Sequence, residues 1–338
     1  MKNKLYLILI SFFSVICPLE SIAQYRPDIL GNGYLSRTIQ MSVDKQGELV
    51  CTLVKKTIPG KRCAILYVHG YNDYFFQSQL GDSIYKHGYN FYAVDLRKYG
   101  RSIRPNQDPF YCKSIKEYFA DIDSALASVQ REGNSQIILM GHSTGGLIIG
   151  YYMKKRKTDI PVNGIILNSP FLDWNFNWGM EKIVIPLVSF WGAIAPRTIV
   201  QGIGDFTYSE SLLRQFKGEW NYNTQWKKVN GHPKRAGWIR AIQRAQCHVR
   251  RGVPLDIPVL VLSSTRSIRK LDGWKKDYQK ADIVLDVKDI QKYGARFGSR
   301  VTCDTIPEGI HDLILSPEPA RSYAYHLMFQ WLAKAFGT

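Results

Sequence analysis

Carboxylates are scarce in this chain of 338 residues: 28 aspartates and glutamates face 45 lysines and arginines, a formal net charge of +17. Such an imbalance favours anionic partners, whether lipid headgroups, acidic polysaccharide or nucleic acid. Nucleic acid is set aside, because no basic run reaches the length of an arm and no nucleic-acid-binding motif is present. The modest clusters, Arg97, Lys98, Arg101 and Arg104 and then Lys227, Lys228, Lys234 and Arg235, are expected to form a solvated cationic surface. Cysteine is also sparse, and the spacing of the six residues matches no metal site. Metal-ligand clusters, a dinucleotide fingerprint and a phosphate loop are missing, so no cofactor and no metal are expected. There is no internal repeat and no low-complexity segment.

What is present begins with a leader. Lys2 and Lys4 precede the apolar run Leu5 to Ile16, which is too short to span a bilayer, and Ser21-Ile22-Ala23 offers the small residues that a signal peptidase reads. The expectation is a signal peptide over 1–23 and export to the periplasm or the medium. A lipoprotein would acylate Cys17, but bulky Ile16 stands where a small residue is needed. Losing Lys2, Lys4 and Glu20 with the leader takes the net charge from +17 to +16. Cys51, Cys63, Cys112, Cys247 and Cys303 remain, an odd set that leaves at least one thiol unpaired in an oxidising compartment.

Strand and helix patterns then alternate. Runs from Gly33 to Val43 and Glu48 to Lys56 flank the turn Asp44-Lys45-Gln46-Gly47, which predicts an edge hairpin. Continuous apolar runs follow at Cys63 to Val68, Asn90 to Leu96, Gln136 to Met140 and Gly164 to Asn168, suited to strands covered on both faces. Helical spacing lies between them, near Gln77 to Lys86 and from Ile115 to Glu132. This predicts an α/β fold with a mostly parallel sheet and helices on both faces. The alternation stops after Ser169-Pro170 and resumes at Pro258 to Leu262. Six of the eight tryptophans fall in that gap, so an aromatic-rich helical cap over 171–256 is predicted, its rings buried against the core or around a ligand. The core is then 24–170 and 257–338. A helix over Val287 to Phe297, a strand over Arg300 to Ile306 and a helix from Pro319 to Phe336 close the chain.

The chemistry centres on Gly141-His142-Ser143-Thr144-Gly145, placed between a buried strand and a helix. A serine on such a strained turn stands clear of the sheet, with glycines letting strand and helix pass closely. Its hydroxyl needs a base, and the base needs a carboxylate to hold its tautomer. His311, after the last predicted strand, is the candidate base; His326 lies in the final helix, His232 and His248 in the gap, and His142 is expected to face away from the site. For the acid, Asp282 precedes a small apolar turn, Asp286 is placed to cap a helix, and Asp272 is third. Backbone amides of Tyr71 and Thr144 are the candidate oxyanion donors, aimed by the turn His69-Gly70.

Together, His69-Gly70-Tyr71, Asp95-Leu96-Arg97 with Gly100-Arg101-Ser102, Gly141 to Gly146, Asp282-Ile283-Val284 and Gly309-Ile310-His311 resemble a branch of the α/β-hydrolases. That branch contains monoacylglycerol lipases, lysophospholipases and the serine aminopeptidase domain. The resemblance runs from about Leu49 to the C-terminus, and departs at Lys98-Tyr99-Gly100, where the family carries Gly-His-Gly. It implies Ser143, Asp282 and His311 as a triad, Tyr71 and Thr144 as the oxyanion hole, and cleavage of a small-molecule or lipid ester, with peripheral contact to an anionic membrane. Two alternatives are an amide-cleaving aminopeptidase, with Glu181, Asp205, Glu210 or Glu219 binding the substrate amine, and a non-catalytic envelope binding protein on the same scaffold.

Overall fold

The computed structural model describes residues 24–156, 160–202, 204 and 206–337. The expected leader over 1–23, with Cys17, lies outside the described residues, as does Asp205. The chain opens with β1 (Arg26–Pro27), β2 (Leu35–Asp44) and β3 (Gly47–Lys56), an antiparallel edge whose β2–β3 turn closes at Asp44 and Gly47. Then follow β4 (Cys63–Val68), α1 (Ser78–Lys86), β5 (Asn90–Asp95), α2 (Phe119–Arg131), β6 (Gln136–His142), α3 (Thr144–Arg156) and β7 (Gly164–Asn168).

Between β7 and its sheet neighbour the chain makes a long excursion. A π-type turn at Met180–Val184 leads into α4 (Ile185–Ile194), followed by β8 (Ile199–Gln201), α5 (Thr207–Leu212), β9 (Lys234–Arg235) and α6 (Ala236–Val249). The sheet resumes with β10 (Val259–Ser264), α7 (Val287–Gly294), β11 (Val301–Ile306) and α8 (Ala320–Phe336). The strand order is β1-β2-β3-β5-β4-β6-β7-β10-β11, parallel from β5 onward, while β8 and β9 form a separate ribbon.

Alternation along the central strands divides the core into two layers. Leu66, Val68, Ile137 and Leu139 face α2, α3 and α6, while Ile65, Tyr67, Ile138 and Met140 face α1 and α8. Helix α3 is buried nearly all round, from Thr144 to Met153, as expected of an element that carries no polar face. This order brings the carboxyl ends of β4, β6, β10 and β11 to one rim of the sheet.

Several expectations are corrected. Tryptophans of the 171–256 stretch are not uniformly buried: Trp174 and Trp238 are, but Trp178 is 70% exposed and Trp191 is open as well. The Arg97–Arg101 cluster is no solvated surface, since Arg97 is buried in a two-pronged pair with Asp121, Lys98 reaches Asp44, and Arg101 bridges Asp28 and Asp95. Among the described residues all five cysteines are free thiols, more than the single unpaired one that parity required. The helix expected to end at Phe297 stops at Gly294, and the one expected from Ile115 begins as a 3-10 turn before α2.

Candidate active site

Ser143 sits where β6 turns into α3, with φ +51°, a left-handed conformation that a non-glycine residue adopts only when its surroundings compel it. The compulsion comes from both sides. A Cβ on Gly145 would lie 2.3 Å from the Val68 carbonyl oxygen, so α3 can cross β4 this closely only with glycine there. The Ser143 amide donates to the Asn168 carbonyl at 3.0 Å, which pins the turn to the end of β7.

His311 follows β11, and its Nε2 lies 2.9 Å from Ser143 Oγ while its Nδ1 lies 2.9 Å from Asp282 Oδ2. A proton on Nδ1 satisfies both contacts, donated to the carboxylate, with Nε2 free to accept from the hydroxyl. Asp282 is completely buried, its Oδ1 accepting the Val284 and Leu285 amides at 2.8 Å each. Its backbone is tied to Arg266 and Ile268 beyond β10, so the carboxylate is fixed by main chain on both flanks. The other acid candidates are elsewhere: Asp286 caps α7 through Lys288 and pairs with Arg269, and Asp272 is exposed beside Lys275. His326 lies on α8, away from the cavity.

Tyr71 and Thr144 flank the serine at the wall of the same cavity, and among the described residues neither backbone amide donates a hydrogen bond within the protein. The Tyr71 loop is shaped by His69, whose Nε2 accepts from the Leu96 amide at 3.1 Å and whose Nδ1 then donates to the Gly70 carbonyl at 2.8 Å. Asp95 steadies the far end, accepting from Phe75 at 2.9 Å and from Arg101 at 2.8 Å. Through these contacts His69-Gly70 and Asp95-Leu96 join the ends of β4 and β5 on either side of the Tyr71 loop.

The cavity holds about 500 Å³ and is lined by Trp174, Ile185, Val188, Trp238 and Leu285 among others, with Ser143 and His311 in its wall. Among the described residues its single carboxylate is Asp73, paired at 2.9 Å with the Lys227 ammonium, both buried. Burial pushes the Asp73 carboxyl up, but Lys227, with His69 and His142, holds it below the usual carboxylate range. Glu181, Glu210 and Glu219 do not reach the cavity.

His142 departs from expectation. It does not face away from the site: its ring lies 4.9 Å from that of His311, its Nδ1 meets the Asn168 carbonyl at 3.1 Å, and burial holds its pKa below the ordinary value. Sequence reasoning also missed a shared support. The Asn168 side chain donates to Asp312 at 2.7 Å and accepts from the Leu313 amide, tying the serine turn to the histidine loop. Asn168 ends a buried strand on the site's rim, a position that could have flagged it.

A mixed sheet with this topology, a left-handed serine after its central strand and a histidine after its last define an α/β-hydrolase. The sequence model of the hydrolase family described as serine aminopeptidase, S33, matches residues 59–267, more than half of the chain, which belongs to that family. Comparison with curated proteins returns no match. Among solved structures, a soluble variant of Saccharomyces cerevisiae monoglyceride lipase in complex with a substrate analogue is similar at TM-score 0.65 and 16% identity, covering 89% of this chain and 96% of that one. A thermostable carboxyl esterase from Bacillus coagulans, in complex with glycerol, gives TM-score 0.61 at 14% identity over 89% and 98% of the two chains. A monoacylglycerol lipase from Paleococcus ferrophilus gives 0.59 at 16% over 89% and 99%. At these identities the likeness is one of fold.

Proposed function

We propose that this hydrolase is an exported serine enzyme that cleaves carboxylic esters through an acyl-enzyme. The observation that carries the reading is the unbroken hydrogen-bonded series Asp282, His311, Ser143 in the wall of an apolar cavity. Ser143 Oγ attacks the ester carbonyl as its proton passes to His311 Nε2, and Asp282 stabilises the imidazolium. The carbonyl oxygen becomes an oxyanion held by the Tyr71 and Thr144 amides. Collapse expels the alcohol, which takes the proton from His311. Water, deprotonated by the same nitrogen, then attacks the acyl-serine, and the acid leaves. Export rests on the Lys2 to Ala23 pattern.

The lining favours an ester over an aminopeptidase substrate. A free substrate amine needs an available carboxylate, whereas among the described residues the cavity's one carboxylate is already paired and Lys227 and Lys234 line the same wall. Peripheral contact with an anionic membrane is supported by α4, where Leu187, Phe190, Trp191 and Ile194 recur at helical spacing and are all exposed on a chain of net charge +17.

Treatment with a fluorophosphonate probe tests the enzyme reading. Wild type is expected to be labelled and Ser143→Ala to remain unlabelled; an unlabelled, folded wild type favours the binding-protein alternative. Turnover of nitrophenyl esters over aminoacyl anilides is expected, and the opposite preference would move the assignment to amide cleavage.

A further inference from the structure

One ion pair beside the site has no place in the mechanism above. Lys227 comes from the excursion between β7 and β10, yet its ammonium is buried 2.9 Å from Asp73 Oδ1, two residues beyond Tyr71. The other oxygen of Asp73 accepts from the Gly70 amide at 3.4 Å. Asn72, between Tyr71 and Asp73, makes two reciprocal bonds with Lys228: its side-chain amide donates to the Lys228 carbonyl at 2.8 Å and its oxygen accepts the Lys228 amide at 3.0 Å. Tyr74 Oη accepts the Asn223 amide at 2.8 Å, and the Tyr74 ring meets Trp226 edge-on at 5.2 Å. Every residue from Asn72 to Tyr74 is therefore bound to the Asn223–Lys228 segment.

The electrostatics point the same way. A carboxylate buried this close to the Tyr71 loop raises the energy of any negative charge forming there, because the low-dielectric surroundings screen it weakly. Lys227 cancels that field. Burial lowers the ammonium's pKa, but Asp73 outweighs it and keeps Lys227 above its ordinary value, so both partners stay charged. The Phe76 and Tyr222 rings, 5.6 and 5.5 Å from the ammonium, leave it little room to turn elsewhere.

We propose that Lys227 and Asp73 form a positioning clamp: the Asn223–Lys228 segment holds the loop that presents the Tyr71 amide, and the ammonium neutralises a carboxylate that would otherwise oppose the oxyanion. The inference rests on the acyl-enzyme reading. It makes Lys227 a positioning residue that acts through Asp73 and not on the substrate, so removing both charges does less harm than removing one.

The test compares wild type, K227M, D73N and the K227M/D73N double variant on a neutral nitrophenyl ester, with Tm measured alongside. K227M is expected to lose about 100-fold in kcat, the scale of one lost oxyanion donor, with KM little changed. Its activity relative to wild type at the same pH falls as pH rises, because the unpaired Asp73 is neutral in acid and ionises at higher pH. Adding D73N is expected to restore at least about tenfold of the lost rate and to abolish that pH dependence. If K227M does not fold, the double variant carries the test: it should fold and keep kcat within about tenfold of wild type. A folded double variant as slow as K227M, or slower than wild type by about 100-fold, overturns the clamp, as does a loss carried by KM. Fluorophosphonate labelling of wild type separates the two levels: absence of labelling sinks the acyl-enzyme reading itself, whereas labelled wild type with an unrescued double variant sinks the clamp alone.

Discussion

Two stretches of the excursion between β7 and β10 have exchanged the places that their composition suggests. Met180–Ile194 is almost wholly apolar, yet Phe190 is 66% exposed and Leu187, Trp191 and Ile194 are open beside it. Asn223–Lys228 is polar, yet it buries a lysine against the loop beside Ser143. Burying an ammonium is tolerable only with a carboxylate waiting for it, and Asp73 is that partner. Apolar surface left open on this scale is what interaction sites present. One stretch is thus held against the core by a buried ion pair, while the other keeps its apolar side chains in solvent.

The strongest way to break this contrast is to disturb the fixed side. Asp282→Asn removes the anion from His311 and invites the wrong tautomer, and kcat is expected to fall by about 10³ to 10⁴. Asp286→Asn should fall far less, because asparagine also caps a helix and the Asp286 carboxylate meets the Lys288 amide and the Arg269 guanidinium, not His311. Steady-state turnover of both variants, each shown folded by circular dichroism, makes the comparison. The reverse ranking would transfer the acid's role to Asp286.

Next in size are the buried charges of the core. Arg97→Met strands Asp121, whose oxygens otherwise take the Arg97 guanidinium and the Arg97 amide, and a cost of about 3–5 kcal/mol is expected. Arg156→Met breaks a pair with Asp123 that is open to water on both sides, and should cost about 1 kcal/mol or less. Urea unfolding of the two variants measures both; equal costs would mean that burial does not distinguish these arginines.

These cases also mark where the sequence could be read. Alternating strand and helix periods, the glycine-flanked Ser143 and the position of His311 after the last strand are local signals, and chain order alone groups them at one rim. Asp282 was legible through the short apolar turn behind it, whose Val284 and Leu285 amides hold its carboxylate. What escaped is non-local. Nothing near Lys227 marks it for burial, since its partner lies far off in the loop after β4 and a cluster of lysines reads as solvated surface. Trp178 and Trp191 read as core because tryptophan usually is; only the excursion's packing decides which of its rings face outward. His142 was misplaced for a related reason: the neighbour of an apex serine faces away along the chain, but its ring is drawn to the Asn168 carbonyl and so comes to rest beside His311.

The smallest effect tests the outward side. Phe190→Asp places a carboxylate on a side chain that already stands in water, so Tm is expected to move by no more than about 2 °C. If α4 enters an anionic interface, the variant loses the burial of one aromatic ring and adds a repelled charge, and its affinity for vesicles containing anionic lipid should drop about tenfold or more. Cosedimentation with anionic and with zwitterionic vesicles separates the two contributions, because only the first responds to the chain's positive charge. A wild type that ignores both kinds of vesicle would leave the apolar face of α4 to a protein partner. A variant that binds as tightly as wild type would move the membrane contact to another surface, and the contrast between the two stretches would then rest on Lys227 alone.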